Sequence, residues 1–246
     1  MKNTPRFLIS EHQINNMRFK LEDRSQLKKI RQVLRLQSGD AIDLFDGNGV
    51  VYHCVLEIVS SELITGRVED KQYITDKSRF RLTLAQALTK AGKLDDIVRM
   101  CTEVGVSQFV FFESEYSVVK AKDYKPAKLE RLSKIIEEAA RQSERNFVPE
   151  IFGITNFKEL VANTNIDTRI LCATEDVKDL INIDTIKAQI LEKQIQNIML
   201  IIGPEGGFSK SELDFAAANN VIIAKMNLPI LRTETAGVVA AGYLLI

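Results

Sequence analysis

The chain has few of the residues from which many active sites are built. Among its 246 residues there are two histidines, His12 and His53, and three isolated cysteines, Cys54, Cys101 and Cys172. Their spacing matches no metal site, and no cysteine has a neighbouring base for covalent catalysis. An odd number of isolated cysteines is typical of a reducing compartment without disulfides. We therefore expect no metal and no catalytic histidine.

The chain also lacks net charge and long apolar runs. Its 33 basic and 33 acidic residues balance, so any contact with nucleic acid must use a local patch. No apolar run reaches membrane-spanning length, and the N-terminus lacks an apolar signal region. These absences predict a cytoplasmic protein with no membrane partner. The P-loop, dinucleotide-binding and nucleophile-elbow motifs are absent too.

Residues 1–72 have the pattern of a small β domain. Strand-like stretches at 41–45 and 51–59 flank Asp-Gly-Asn-Gly at 46–49, which is a strong hairpin signal, and 63–68 is a further strand. This region is also basic, with few acids among Lys2, Arg6, Arg18, Lys20, Arg24, Lys28, Lys29, Arg31 and Arg35. The basic residues form either a solvated face or a patch that contacts phosphate.

Residues 73–246 have the pattern of an α/β domain. An alternating stretch at 80–85 predicts a strand, and helical spacing from Leu94 to Val104 ends at Gly105. With a strand at 108–112 this makes a β-α-β unit and predicts a parallel sheet. Further elements are expected as a helix at 129–143 ended by Pro149, a strand at 168–173, a helix at 179–194, a strand at 221–226 and a terminal helix.

One stretch near the end points to a ligand. The apolar run 198–202 predicts a buried strand, Gly203-Pro-Glu-Gly-Gly207 must turn, and Ser209 with Glu212 forms a capping box that starts a helix. Such a strand, loop and helix binds anionic or nucleotide-like ligands through backbone amides, although a bare turn would have the same pattern. Further on, Arg232 and Glu234 precede a small-residue segment, where they form either a functional pair or an ion pair within the loop.

These two stretches carry a family resemblance. Ile202-Gly-Pro-Glu-Gly-Gly-Phe-Ser209 and Leu231-Arg-Thr-Glu-Thr-Ala236 closely resemble the bacterial 16S ribosomal RNA uracil-N3 methyltransferases of the SPOUT, or trefoil-knot, superfamily. The likeness covers nearly the whole chain in family order. It departs at Asn227 and Pro229, where the family usually has glycine and arginine, and at Lys28 and Lys29, where histidines are common.

The resemblance implies a fold and a set of site residues. The implied fold is α/β, with a PUA- or OB-like β-barrel in 1–72 that binds RNA, and a SPOUT methyltransferase domain in 73–246 with a parallel sheet and a C-terminal trefoil knot. It also implies a homodimer, S-adenosyl-L-methionine as cofactor, and 16S ribosomal RNA or the small ribosomal subunit as partner. Expected cofactor contacts are Ala173, Thr174, Ile202, Gly203, Pro204, Glu205, Gly206, Gly207, Leu231 and Thr233. Arg232 is expected to stabilise the uracil anion or orient its carbonyls, and Glu234 to act as base or orienter. Contacts with RNA are expected from Arg6, Lys28, Lys29, Arg31 and Arg35.

Two rival functions remain compatible with the sequence. The chain could be an RNA-binding ribosome-assembly factor with a degenerate cofactor loop, an interpretation that Asn227 and Pro229 favour slightly. It could also be a methyltransferase of the same class that acts on another RNA.

Overall fold

The computed structural model describes residues 4–90, 92–162, 165–174 and 180–246, which divide into two units. The first comprises the residues up to Lys77 together with 140–148, and the second comprises 78–139 and the residues from Pro149 onward. The sequence pattern places the boundary at 72/73. The structure places it after Lys77 and adds 140–148 to the first unit, a segment so distant along the chain that no local pattern could assign it there.

The first unit is built on one mixed sheet. Its elements are the strands β1 (Arg6–Leu8), β2 (Ile14–Asn15), β3 (Arg18–Leu21), β4 (Ala41–Phe45), β5 (Val50–Val59) and β6 (Ile64–Tyr73), and the helix α1 (Arg24–Lys28). The strand order is β1-β4-β5-β6-β3-β2, with β1 parallel to β4 and every other pair antiparallel. The three predicted strands and the hairpin between β4 and β5 are confirmed. Lys2 lies outside the described residues.

Alternation along these strands builds the core of the first unit. In β3, Phe19 and Leu21 are buried and the residue between them is exposed. In β4, Ile42 and Leu44 are buried and the residue between them is partly exposed. Gly66 in β6 is required by a close approach between strands, because a Cβ there would lie 2.1 Å from the carbonyl oxygen of Val55. Only glycine therefore fits at this position of the strand.

The second unit alternates strands and helices. Its elements are β7 (Arg81–Ala87), α2 (Lys93–Val104), β8 (Gln108–Glu113), α3 (Pro126–Gln142, whose last three residues belong to the first unit), β9 (Glu150–Asn156), α4 (Phe157–Ala162), β10 (Thr168–Cys172), β11 (Ile181–Asn182), α5 (Ile183–Glu192), β12 (Asn197–Ile202), α6 (Lys210–Ala218), β13 (Ile222–Lys225) and α7 (Thr233–Leu245). The seven strands form one sheet in the order β11-β13-β10-β12-β7-β8-β9, and every pair is parallel. The predicted parallel α/β domain is confirmed, while the trefoil knot stays a prediction.

Some boundaries differ from the sequence pattern. α3 ends at Gln142, and Glu144 then takes a left-handed φ of 57°, so the prediction that Pro149 ends this helix is wrong. α5 is shorter than the predicted helix 179–194, whose first residue lies outside the described residues. β9 and α4 were not predicted, because β9 lacks clear alternation and contains Gly153 at a φ of 101°.

The strand order brings four carboxyl ends together. β8 and β9 extend the sheet on one side of β7, whereas β12, β10 and β13 follow on the other side. In register, Ile202 lies opposite Gln86 of β7 and opposite Cys172 of β10. Ligands of open parallel sheets bind beyond the carboxyl ends of the strands, near the point where the order reverses. Among the described residues, no helix is both long and apolar enough to cross a bilayer.

Candidate active site

A cavity of about 700 Å³ opens beyond the carboxyl ends of β7, β10, β12 and β13. Its volume lies in the range of roughly 300–1,000 Å³ typical of small-molecule and cofactor sites. The loops that follow these four strands supply its lining. The lining residues are Lys93, Cys172, Ala173, Thr174, Ile202, Gly203, Pro204, Glu205, Gly207, Phe208, Lys225, Met226, Leu228, Pro229, Ile230, Leu231, Arg232, Thr233, Glu234 and Ala236.

The glycine loop turns tightly between β12 and α6. Gly207 has a φ of 72° and donates its N–H to the carbonyl of Pro204 at 3.0 Å, which closes the turn. A Cβ on Gly203 would lie 2.9 Å from the ring of Phe208, so this glycine lets that buried ring pack under the loop. The small side chains leave the backbone of the loop open to the cavity.

The predicted capping box is confirmed, and the Glu212 carboxylate also accepts hydrogen bonds from residues outside α6. The Ser209 hydroxyl accepts the N–H of Glu212 at 3.2 Å, and the Glu212 carboxylate accepts the N–H of Ser209 at 3.0 Å. The same carboxylate, in a side chain that is 6% exposed, also accepts the Ser114 hydroxyl at 3.1 Å and the Glu115 N–H at 3.0 Å. Glu212 therefore fixes the segment after β8 to the start of α6.

Thr233 joins the two stretches that the sequence singled out. Its hydroxyl donates to the carbonyl oxygen of Gly203 at 2.7 Å and accepts a hydrogen bond from Gln86 Nε2 at 3.0 Å. The carbonyls of Ala87 and Gly203 also face Nε2, at 3.3 and 3.5 Å, which sets the orientation of the amide. Gln86 is fully buried, so this link lies inside the domain. Sequence reasoning missed Gln86, although a glutamine within an apolar strand was a signal.

Arg232 and Glu234 both line the cavity but do not pair with each other. Arg232 is the exposed N-cap residue of α7, and its guanidinium forms no ion pair with any residue in the described part of the chain. Glu234 lies in the first turn of α7, where a carboxylate is favoured by the helix dipole. Its partner is the ammonium of Lys93, 3.3 Å from Oε2. The ion pair between Arg232 and Glu234, which was one of the two alternatives left open by the sequence, does not form.

Lys93 is the main residue of this site that the sequence analysis missed. Its Nζ also lies 2.9 Å from Glu205 Oε1. This hydrogen bond raises the pKa of Lys93, and Glu234 acts in the same direction against a partial burial that lowers it. Burial raises the pKa of Glu205, but Lys93 and the charge of Lys90 more than offset it, so that the pKa lies below its ordinary value. Lys93 and Glu205 are therefore charged at neutral pH.

Most of the expected cofactor contacts line this cavity. Nine of the ten do so, and the exception is Gly206, where a Cβ would instead meet Tyr116 at 3.2 Å. Pro229 is among the lining residues, whereas Asn227 is not.

Cys172 lines the cavity as well, but burial raises the pKa of its thiol to about 12, so it is not a nucleophile at neutral pH. Within the described ranges, no group of three or more His, Cys, Asp or Glu could hold a metal ion.

Arg6 is held by contacts within the first unit. It is half-buried in β1, where its Nη2 donates to Asn146 Oδ1 at 2.6 Å and its guanidinium lies 4.8 Å from the centre of the Phe45 ring. Burial lowers the pKa of Arg6, while the nearby carboxylates of Asp43 and Glu144 raise it. These contacts pack Arg6 into the first unit, while its contact with RNA stays a prediction.

The other predicted RNA contacts lie on one short segment of the first unit. Lys28 ends α1 and is exposed, Lys29 and Arg31 are half-buried in the π-helical turn that follows, and Arg35 is exposed at a left-handed φ of 54°. No carboxylate of the described residues forms an ion pair with Lys28, Arg31 or Arg35. Elsewhere in the basic region, Arg18 pairs with Glu57 and Lys20 with Glu22, both at 2.6 Å. We call residues 28–35 the basic segment.

Comparison with known proteins identifies the family. Residues 76–245 match the RNA methyltransferase domain, and residues 30–69 match the RNA methyltransferase PUA domain. The chain belongs to the RNA methyltransferase family. This confirms the resemblance drawn from the two loop motifs, and the PUA match agrees with the predicted β-rich first domain.

Similar proteins cover nearly the whole chain. The ribosomal RNA small subunit methyltransferase E of Synechocystis is 31% identical over 225 residues, which make up 89% of this chain and 70% of that protein. The protein of the same name in Bacillus subtilis is 29% identical over 86% of this chain and 83% of its own length. A structure of ribosomal RNA small subunit methyltransferase E from Neisseria gonorrhoeae, bound to S-adenosyl methionine, superposes with a TM-score of 0.78 at 23% identity over 98% of this chain and 97% of that one. The last match shows a shared fold.

Proposed function

We propose that this protein transfers the methyl group of S-adenosylmethionine to N3 of a uridine in 16S ribosomal RNA. The observation that carries the proposal is the shared cavity of the two loops, joined by the hydrogen bond from Thr233 to Gly203. Membership of the RNA methyltransferase family supports RNA as the substrate. The relatives named above act on small-subunit ribosomal RNA, as their names say, which supports 16S RNA in particular.

The residues around the cavity suit an adenosyl ligand. Apolar side chains such as Ile202 and Leu231 can cover a purine, and the open backbone of 203–207 offers amides and carbonyls to polar groups. Ala173 and Thr174 follow β10 on the same edge and complete the expected cofactor contacts. S-adenosylmethionine supplies a methyl group on a positively charged sulfur, which is already a strong electrophile. The protein's contribution is therefore alignment of the reacting atoms and removal of one proton.

Two side chains at the cavity suit the proton chemistry. The uracil N3–H must lose its proton before N3 bonds to the methyl carbon, while the electron pair of the broken carbon–sulfur bond stays on sulfur. Glu234 is our candidate to accept or orient that proton, because its Oε2 is buried and receives no hydrogen bond from any residue described. Arg232 is the candidate to stabilise the charge on the uracil oxygens, since its guanidinium is exposed at the cavity and has no acidic partner among the described residues.

RNA binding is proposed for the first unit. Lys28, Lys29, Arg31 and Arg35 of the basic segment are candidates for phosphate contacts. The target uridine must be unstacked or single-stranded to enter a cavity of this size. We further propose that the protein acts as a homodimer in the cytoplasm, as the family resemblance implies.

The decisive experiment is in vitro methylation with isotopically labelled S-adenosylmethionine, on 16S RNA and on small subunits from a strain lacking this gene. Mass spectrometry of nuclease fragments should show one labelled methyl group on N3 of a single uridine. Label on another base or RNA would support the alternative substrate. No label, together with no heat of cofactor binding in calorimetry, would support the assembly factor.

A further inference from the structure

One lysine at the cavity joins its own helix to two other segments of the chain. Lys93 is the first residue of α2, Glu205 belongs to the glycine loop, and Glu234 lies in the first turn of α7. The Nζ of Lys93 lies 2.9 Å from Glu205 and 3.3 Å from Glu234. These side chains are only 21–31% exposed and all three line the cavity.

The position of Lys93 is unfavourable for the helix that carries it. The N-terminus of a helix has a partial positive charge, so a lysine in the first turn is disfavoured, whereas Asp95 and Asp96 of the same turn are favoured. A residue that breaks such a local rule is expected where function requires it. The two carboxylates offset this cost.

The two carboxylates share one ammonium. The contact of Glu205 is the shorter, at 2.9 Å, and Glu234 Oε2 is buried 3.3 Å from Nζ without a hydrogen bond of good geometry. That buried oxygen therefore has no donor among the described residues. Buried acceptors are rarely left without compensation, and the ammonium of Lys93, 3.3 Å away, is the charge that compensates this oxygen.

We propose that Lys93 is a positioning residue that holds Glu205 of the glycine loop and Glu234 of α7 together at the cavity. This proposal rests on the function proposed above. Without the ammonium, two like charges would face each other at the cavity mouth with no cation between them. Their repulsion would move the glycine loop away from the start of α7, and the proton acceptor would lose its place.

The test compares Lys93→Met, which removes the charge, with Lys93→Arg, which keeps it. Lys90→Met is the matched control, because Lys90 is exposed and acts on Glu205 only through its charge, without contact. Removing a charged hydrogen bond should weaken binding by about 10- to 100-fold. We expect that loss in S-adenosylmethionine affinity for Lys93→Met in calorimetry, substantial recovery in Lys93→Arg, and a change below about twofold in Lys90→Met.

The pH dependence separates positioning from a general loss of structure. Lys93 and Lys90 are the cations near Glu205, and Glu234 is the nearby anion. The cations lower the pKa of Glu205. Lys93→Met should therefore raise the pH below which cofactor affinity falls, which is the acid limb of the pH profile. An unshifted limb would mean that Lys93 does not control the ionisation of Glu205.

A measurement without cofactor keeps the inference independent of the proposed function. Amide hydrogen exchange at 203–207 and 233–236 should become faster in Lys93→Met than in wild type or Lys90→Met, and the double variant Lys93→Met/Glu205→Gln should reverse part of that change. If wild type binds no S-adenosylmethionine but exchange responds as described, the proposed function fails and the positioning role stands. If Lys93→Met has the same amide hydrogen exchange and the same S-adenosylmethionine affinity as wild type, the positioning role is overturned.

Discussion

Replacing Thr233 by valine tests whether the two loops act as one site. Valine has the same shape, so the change removes only the hydroxyl that donates to Gly203 and accepts from Gln86. Thr233 is 6% exposed and Gln86 is fully buried, so water reaches the lost partners poorly, and Gln86 Nε2 keeps only its longer contacts with the carbonyls of Ala87 and Gly203. Polar groups left unsatisfied in this way cost about 1–3 kcal/mol.

The size of the effect follows from that cost. A loss of about 2 kcal/mol should lower the melting temperature by roughly 4 to 8 °C for a chain of this length. Because both loops line the cavity, we also expect cofactor affinity to fall by up to about tenfold, which corresponds to about 1.4 kcal/mol. Differential scanning calorimetry and titration calorimetry measure the two quantities.

Thr235→Val is the matched control for this prediction. Thr235 lies two residues further along α7, is half-buried, and its hydroxyl makes no hydrogen bond to the residues described. Its replacement should change the melting temperature by no more than about 2 °C. If Thr233→Val and Thr235→Val behave alike in both assays, the hydroxyl does not couple the loops and the reasoning is refuted.

Three further substitutions test other parts of the molecule. Gly66→Ala should destabilise the first unit by about 1–3 kcal/mol, since its Cβ would lie 2.1 Å from the Val55 carbonyl; denaturant unfolding with an unchanged midpoint would contradict this. Glu212→Gln should lower stability by about 1–3 kcal/mol in the same assay, because an amide cannot accept all the donors that Ser114 and its neighbours direct at the carboxylate; wild-type stability would rule this out. Arg232→Met should lower kcat about 100-fold with cofactor affinity nearly unchanged, and the reverse pattern in steady-state kinetics and calorimetry would assign Arg232 to the cofactor instead.

Local patterns predicted the elements around the site well. The capping box of Ser209 and Glu212 and the stop at Gly105, which has a φ of 114°, are encoded within a few residues and appear as expected. The strand β4 matches its prediction at both ends. β9 was missed because its apolar residues at 151, 152 and 154 do not alternate with polar ones, so its sequence carries no clear period-2 signal.

The candidate site was predicted in part. The two loop motifs and the family resemblance that they carry indicated its backbone: seven of the nine expected contacts that line the cavity lie in these motifs, and Ala173 and Thr174 follow an adjacent strand. The partners of these residues could not be predicted in this way. Gln86 and Thr233 are 147 positions apart, and nothing near either residue specifies the other. Arg232 and Glu234 lie close in the chain, yet Glu234 faces Lys93 of another helix instead.

The sequence alone determined the local elements and the loop chemistry, because capping, turn geometry and hydrophobic periodicity act between residues a few positions apart. The tertiary structure decided which charges and hydrogen bonds meet at the cavity. A parallel sheet requires crossovers, so strands adjacent in space, such as β12 and β7, are distant along the chain. Their carboxyl ends converge only once the strand order is set, and only then do Lys93, Glu205 and Glu234 form one cluster.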